Sequence, residues 1–190
     1  MQGMDRHYKH LIHELLGLFP CVAIIGARQC GKTTLLKTLP SSWRIFDLEK
    51  ASDMDLVARD PDLFLRLYPD NIAIDECQNL PALFPALRVA IDGQRDRPGR
   101  FVITGSSSPT LIRAISESLA GRIAIVELAP FSAPEAFSLP PSEFFPMIAD
   151  ACGKDDLLTL HPRLDIAELH TFWFRGGYPE PWVKDQTRFT

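Results

Sequence analysis

The chain contains no apolar run long enough to cross a membrane as a helix. Its most hydrophobic stretch, Leu15 to Ala27, falls short of the roughly 20 residues such a helix needs and is interrupted by Gly17, Pro20 and Gly26. The first ten residues, MQGMDRHYKH, are polar and lack a secretory pattern. Cysteine is sparse and scattered. Cys21, Cys30, Cys77 and Cys152 include no Cys-x-x-Cys pair, which argues against a zinc site or a disulfide framework and fits a reducing cytoplasm. Positive charge is not in excess: 20 Lys and Arg face 24 Asp and Glu, for a net charge of −4. Unselective binding to a phosphate backbone has no basis in that balance, so direct nucleic-acid binding is not expected. Internal repeats are absent.

What is present is ordinary globular material. Apolar residues make up 46% of the 190 positions and charged residues 23%, which excludes wholesale disorder. A chain of this length buries about 70% of its unfolded surface and needs no covalent staple. It has room for one α/β domain, or one domain and a fragment of a second.

Strand and helix patterns alternate from residue 6 to residue 128. Residues 6–19 carry apolar side chains at helical spacing. CVAIIG (21–26) reads as a buried strand, and residues 31–39 as a helix stopped by Pro40. A strand is expected over 42–48 and a helical stretch broken at Pro61 over 53–67. NIAIDE (71–76) is a short strand, 80–91 an amphipathic helix and RFVIT (100–104) a further strand. A helix over 109–119 with proline in its first turn precedes the strand RIAIVEL (122–128). Such alternation calls for right-handed crossovers and a parallel sheet covered on both faces. After Pro130 it stops, and the proline-rich 138–163 reads as an extended linker. LDIAELHTFWF (164–174) then resumes a helical pattern.

The first sheet-to-helix junction carries the clearest chemistry. Gly26-Ala27-Arg28-Gln29-Cys30-Gly31-Lys32-Thr33 matches G-x-x-x-x-G-K-[ST] without a gap, between a predicted strand and a predicted helix. In this Walker A pattern the glycines let successive N–H groups turn toward phosphate oxygens, aided by the helix N-terminus. Lys32 is expected to reach the β- and γ-phosphates, and the Thr33 hydroxyl to ligate Mg²⁺. Cys30, within the loop, reads as a small filler residue.

Asp75-Glu76 closes a strand of the same predicted sheet, as a Walker B pair does. Asp75 there can hold Mg²⁺, and Glu76 can orient and deprotonate a water. No N-K-x-D or T-K-x-D sequence reads a guanine, and no arginine-rich lid marks a small-molecule kinase, so ATP hydrolysis leads. Thr104 is the first polar residue after the Phe101–Ile103 run, placed to bond the attacking water or the γ-phosphate; its alternative reading is a turn residue. Arg122 is a candidate for the cation that neutralises phosphoryl-transfer charge, in cis or toward a neighbour, with a surface arginine as the alternative.

In this order GARQCGKTTLL, IAIDECQNLP, FVITGSSSPTL, ESLAGRIAIVELAPFSAPEAF and FRGGYPEP resemble the prokaryotic AAA-type ATP-binding proteins, in which an ATPase domain precedes a C-terminal domain of unknown function. The resemblance covers residues 6–137 and the GGYPEP segment. It implies a P-loop NTPase three-layer sandwich of the catalytic-glutamate class, with a five-stranded parallel sheet in the order 5-1-4-3-2. It implies ATP and Mg²⁺ as ligands. It assigns phosphate binding to Gly26 through Thr34, Mg²⁺ to Thr33 and Asp75, catalysis to Glu76 and Lys32, the sensor role to Thr104 and the LAGR arginine to Arg122. Gln78 falls in a D-E-x-Q pattern, where it would position the loop beside Glu76. The organisation implied is an N-terminal helix over 1–20, an ATPase domain over 21–137, a linker over 138–163 and the start of a truncated C-terminal helical domain over 164–190.

Two functional readings remain open at this stage. One is a Mg²⁺-dependent ATPase that couples hydrolysis to a conformational change. The other is a nucleotide-binding regulatory or scaffold module with negligible turnover. Either would work through an unidentified protein partner, and a homo-oligomer is compatible with both.

Overall fold

The structure, a computed structural model, describes residues 6–150 and 153–184. Cys152, the first five residues of the expected N-terminal helix and the last six of the expected C-terminal segment lie outside the described residues. The chain divides into two compact units.

The first unit runs from Tyr8 to Ala129. It contains α1 (Tyr8–Leu18), β1 (Cys21–Gly26), α2 (Lys32–Leu36), β2 (Arg44–Asp47), α3 (Ala51–Ala58), α4 (Pro61–Leu67), β3 (Ile72–Asp75), a 3₁₀ turn (Cys77–Asn79), α5 (Leu83–Asp92), β4 (Phe101–Ser106), α6 (Pro109–Leu119) and β5 (Ile123–Glu127). The five strands form one parallel sheet in the order β2-β3-β4-β1-β5. Read from the other edge, this is the expected 5-1-4-3-2.

Side-chain alternation along these strands builds two cores. On one face Cys21, Ala23, Ile25, Ile72, Ile74, Phe101 and Ile103 meet the apolar sides of α3 to α6. On the other, Val22, Ile24, Ala73, Val102, Ala124 and Val126 meet Ile12 and Leu16 of α1 and Leu35 and Leu36 of α2. β1 is buried along its whole length, whereas β5, at the edge, alternates buried and exposed positions. The helix expected from residue 80 begins at Leu83, because the chain first closes the 3₁₀ turn over Cys77–Asn79. Asp60 and Ser108 cap α4 and α6 by accepting the backbone N–H of Leu63 and Leu111.

α1 packs into the same core as β1, and this first compact unit closes at Ala129. The second unit takes in Arg6, His7 and the described residues from Pro130 onward. It holds α7 (Ala133–Ala136), α8 (Phe144–Ala149), α9 (Lys154–Leu157), α10 (Ile166–Arg175) and α11 (Pro179–Val183). The stretch read as an extended linker thus contains α8 and α9. Pro146 does not prevent α8, because it occupies the first turn, where its missing N–H has no intrahelical partner to lose.

Glu135 organises the start of this second unit. Its carboxylate accepts the Arg6 guanidinium at 3.0 Å and the backbone N–H groups of His7 (3.0 Å) and Ser132 (2.9 Å). Burial alone would raise its pKa. The Ser132 and His7 donors, with Arg6, outweigh burial and hold it below the ordinary glutamate value. A depressed carboxylate contributes its stability above the unfolded-state pKa and loses it as pH falls through the folded one.

Leu87 of α5 is fully buried in the core of the first unit, on the sheet face that meets α3 to α6. Leu87→Ala should destabilise that unit by about 2–5 kcal/mol. Denaturant unfolding of the two chains side by side measures this.

Candidate nucleotide site

Parallel strands present all their C-terminal ends on one edge of the sheet, and the motif residues collect there. β1 ends at Gly26, β3 at Asp75, and β4 carries Thr104 and Gly105. Ile74 is in register with Ile103, so the next residues of the two strands, Asp75 and Thr104, stand side by side. Both lie on the sheet face that packs against α1 and α2, by alternation from Ala73 and Val102. That is the face from which α2 delivers Thr33.

The result is a continuous polar bridge. Thr33 Oγ1 donates to Asp75 Oδ2 at 2.6 Å, and Thr104 Oγ1 donates to Asp75 Oδ1. Thr104 Oγ1 also accepts the backbone N–H of Glu76 at 3.2 Å. Asp75 is 1% exposed, so it depends on these partners to remain in the sheet. Glu76 then leaves the strand through the left-handed region, with φ at 56°. Its carboxylate accepts Gln78 Nε2 at 2.5 Å.

The loop between β1 and α2 is equally constrained. It turns through left-handed residues at Gln29 (φ 62°) and Gly31 (φ 103°). A Cβ on Gly26 would stand 2.4 Å from the Leu128 carbonyl oxygen and 3.0 Å from Cys30 Sγ, so only glycine fits. Cys30 is fully buried and packs with Leu35 and Leu36. Lys32 is 4% exposed, and its ammonium donates to the carbonyls of Gly26 (3.2 Å) and Ala27 (3.0 Å). The lysine therefore lies across the loop.

The oxygen groups at the end of β3 are the Asp75 carboxylate and the Thr33 and Thr104 hydroxyls, with Thr33 2.6 Å from Asp75. Hard oxygen donors of this type fit Mg²⁺, with Thr33 and Asp75 as the residues that would hold it.

Arg122 is not part of this assembly. It precedes Ile123, which pairs with Cys21 at the start of β1, whereas the phosphate loop follows the other end of that strand. Five residues of strand, roughly 16 Å, separate the two levels. There Arg122 forms a two-pronged pair with Asp92, at 2.7 and 2.8 Å, and donates to the Ala120 carbonyl at 2.9 Å. Hydrogen bonding from Arg122 holds the Asp92 carboxyl below its ordinary range. The sequence contained a signal for this placement, since a residue entering a parallel strand stands opposite the edge where the loops converge. The Leu128 carbonyl beneath Gly26 carried no such signal.

The sheet order, the loop and the Thr33–Asp75–Thr104 bridge define a P-loop nucleoside-triphosphatase domain. Residues 19–137 match the AAA domain, and the chain belongs to that family of ATP-binding proteins. The uncharacterized protein Rv2008c of Mycobacterium tuberculosis is 39% identical over 164 residues, covering 79% of this chain. The chain spans only 37% of that relative's length. Among solved structures, the Walker-type ATPase PABY2304 of Pyrococcus abyssi matches with a TM-score of 0.57 at 16% identity, over 95% of this chain and 65% of the other. AMPPCP-bound DnaA from Aquifex aeolicus matches at 0.53 and 15% identity, over 93% of this chain and 57% of the other. At those identities the likeness concerns the fold. Among the described residues, no helix is long and apolar enough to cross a membrane.

Gly26→Ala should displace the loop from Leu128 and weaken nucleotide binding at least tenfold. Titration with a fluorescent ATP analogue reads the loss.

Proposed function

We propose that the chain is a cytoplasmic, Mg²⁺-dependent ATPase domain that couples ATP hydrolysis to a conformational change and works with an unidentified protein partner. The observation that carries this reading is the bridge from Thr33 through Asp75 to Thr104, with Glu76 bonded to the same Thr104 hydroxyl. It ties the phosphate loop, the acidic strand end and the polar tip of β4 into one unit.

In this reading Gly26 through Thr34 embrace the triphosphate. Lys32 exchanges its two carbonyl partners for β- and γ-phosphate oxygens. Thr33 and Asp75 would hold Mg²⁺, which would neutralise charge on the phosphates. Thr104 orients the attacking water. Glu76 accepts a proton from that water as its oxygen bonds to the γ-phosphorus and the bond to the β–γ bridging oxygen breaks, releasing ADP and phosphate. The catalytic contribution is positioning and electrostatics.

Arg122 stands too far along the sheet to serve its own nucleotide. A role for it requires a second copy of the chain whose nucleotide site faces it, and release from Asp92. The rate per chain should then rise with protein concentration in the parent and stay flat in Arg122→Ala, with nucleotide affinity unchanged. Hydrolysis measured across a dilution series distinguishes these.

Lys32→Ala should lose nucleotide binding and turnover together. Glu76→Gln should bind ATP as the parent does and lose at least a hundredfold in turnover, measured under single-turnover conditions. Equal rates in Glu76→Gln and the parent would remove Glu76 from the mechanism. Tight binding without turnover in either protein is the outcome that the regulatory-module reading predicts.

A further inference from the structure

Gln78 makes an unusual pair of contacts. Its Nε2 donates to Glu76 Oε2 at 2.5 Å, yet its Oε1 is fully buried and has no hydrogen-bond partner among the described residues. Turning the amide over would bring Oε1 against the Glu76 carboxylate, oxygen against oxygen, so Glu76 dictates the orientation. A buried carbonyl oxygen without a donor is disfavoured, and such groups in native proteins call for an explanation.

The surroundings fix the amide in place. Gly105 follows Thr104 on β4, and a Cβ there would come within 2.5 Å of Gln78 Oε1 and 2.4 Å of Leu111 Cδ2. The missing side chain of Gly105 makes the slot that the amide fills. By alternation from Phe101 and Ile103, this slot opens on the sheet face opposite to the Thr33–Asp75–Thr104 bridge. Cys77 Sγ lies nearby, 3.6 Å from the same Cβ position. Burial, and then the Glu76 charge, push that thiol's pKa up, so it stays neutral. Glu76 is therefore held from two sides of β4: its backbone N–H by Thr104 on one face, its carboxylate by Gln78 on the other.

We propose that Gln78 is a positioning residue for Glu76: lodged against the β4 backbone at Gly105, its amide anchors Oε2 of the carboxylate and leaves Oε1 to receive the proton of the attacking water. This rests on the reading of Glu76 as the base. A rigid link then joins the tip of β4, which carries Thr104, to the carboxylate that does the chemistry. The burial of an unpartnered Gln78 oxygen is the cost of that link.

The test uses Gln78→Met, which keeps the length and removes the donor, Gln78→His, which keeps a ring N–H, and the double variant Glu76→Gln/Gln78→Met. Each full chain is assayed for single-turnover ATP hydrolysis, ATP affinity and thermal unfolding. Gln78→Met should hydrolyse at least tenfold more slowly, with ATP affinity within about twofold of the parent and an unchanged unfolding temperature. Gln78→His should recover part of the rate. The double variant should be no slower than Glu76→Gln alone, because Gln78 acts through Glu76. Parental rates in Gln78→Met, beside a Glu76→Gln that is inactive, overturn this proposal and leave Glu76 as the base. A rate loss matched by equal losses of affinity and stability also overturns it, since that is a packing defect. A Glu76→Gln chain as fast as the parent, or a parent with no hydrolysis, overturns the base assignment and this proposal with it.

Discussion

The buried carboxylate of Asp75 is the constraint on which the nucleotide site depends. At 1% exposure it cannot rely on water, so it must be bonded by its neighbours. Two hydroxyls do this, Thr33 from the helix after the phosphate loop and Thr104 from the adjacent strand. Satisfying one acid therefore fixes the distance between loop and sheet. It also fixes the register of β3 against β4, because only the pairing of Ile74 with Ile103 sets Asp75 beside Thr104. A shift by one residue would send one of the two to the opposite face.

Most of the first unit can be read from the sequence because its signals are local. Apolar runs closed by glycine or acid, as in CVAIIG and IAIDE, are strands of a sheet buried on both faces, and the phosphate-loop pattern names its own flanking elements. The tip of β4 was legible as polar, but not its partnership with Asp75, which depends on strand order. Elements past Pro130 were less legible. Prolines suggested extended chain, yet one at the third position of a helix costs little, and α8 forms around Pro146. One tertiary link had no local signal at all: Glu135 binds Arg6 and the His7 backbone, across more than a hundred residues of sequence.

The glycines divide into those that bend the chain and those that make room. Gly31 bends it, at φ 103°. Gly26 and Gly105 make room, one for the Leu128 carbonyl and the other for the Gln78 amide and Leu111. The sequence pattern names Gly26 for its role toward phosphate. The structure adds an inward reason, since the last turn of chain after β5 runs directly against it, where Leu128 N–H donates to the Ile25 carbonyl at 2.7 Å.

The Lys32 ammonium has a thermodynamic consequence for ligand capture. An exposed lysine must shed its hydration shell when it meets a phosphate, and that dehydration offsets much of the attraction. Here the shell has already been replaced by two backbone carbonyls, with the side chain 4% exposed. Folding has absorbed the dehydration and most of the rotamer entropy of the long side chain. Under the proposed function, what remains on encounter is an exchange of neutral oxygen partners for charged ones, with that dehydration already complete.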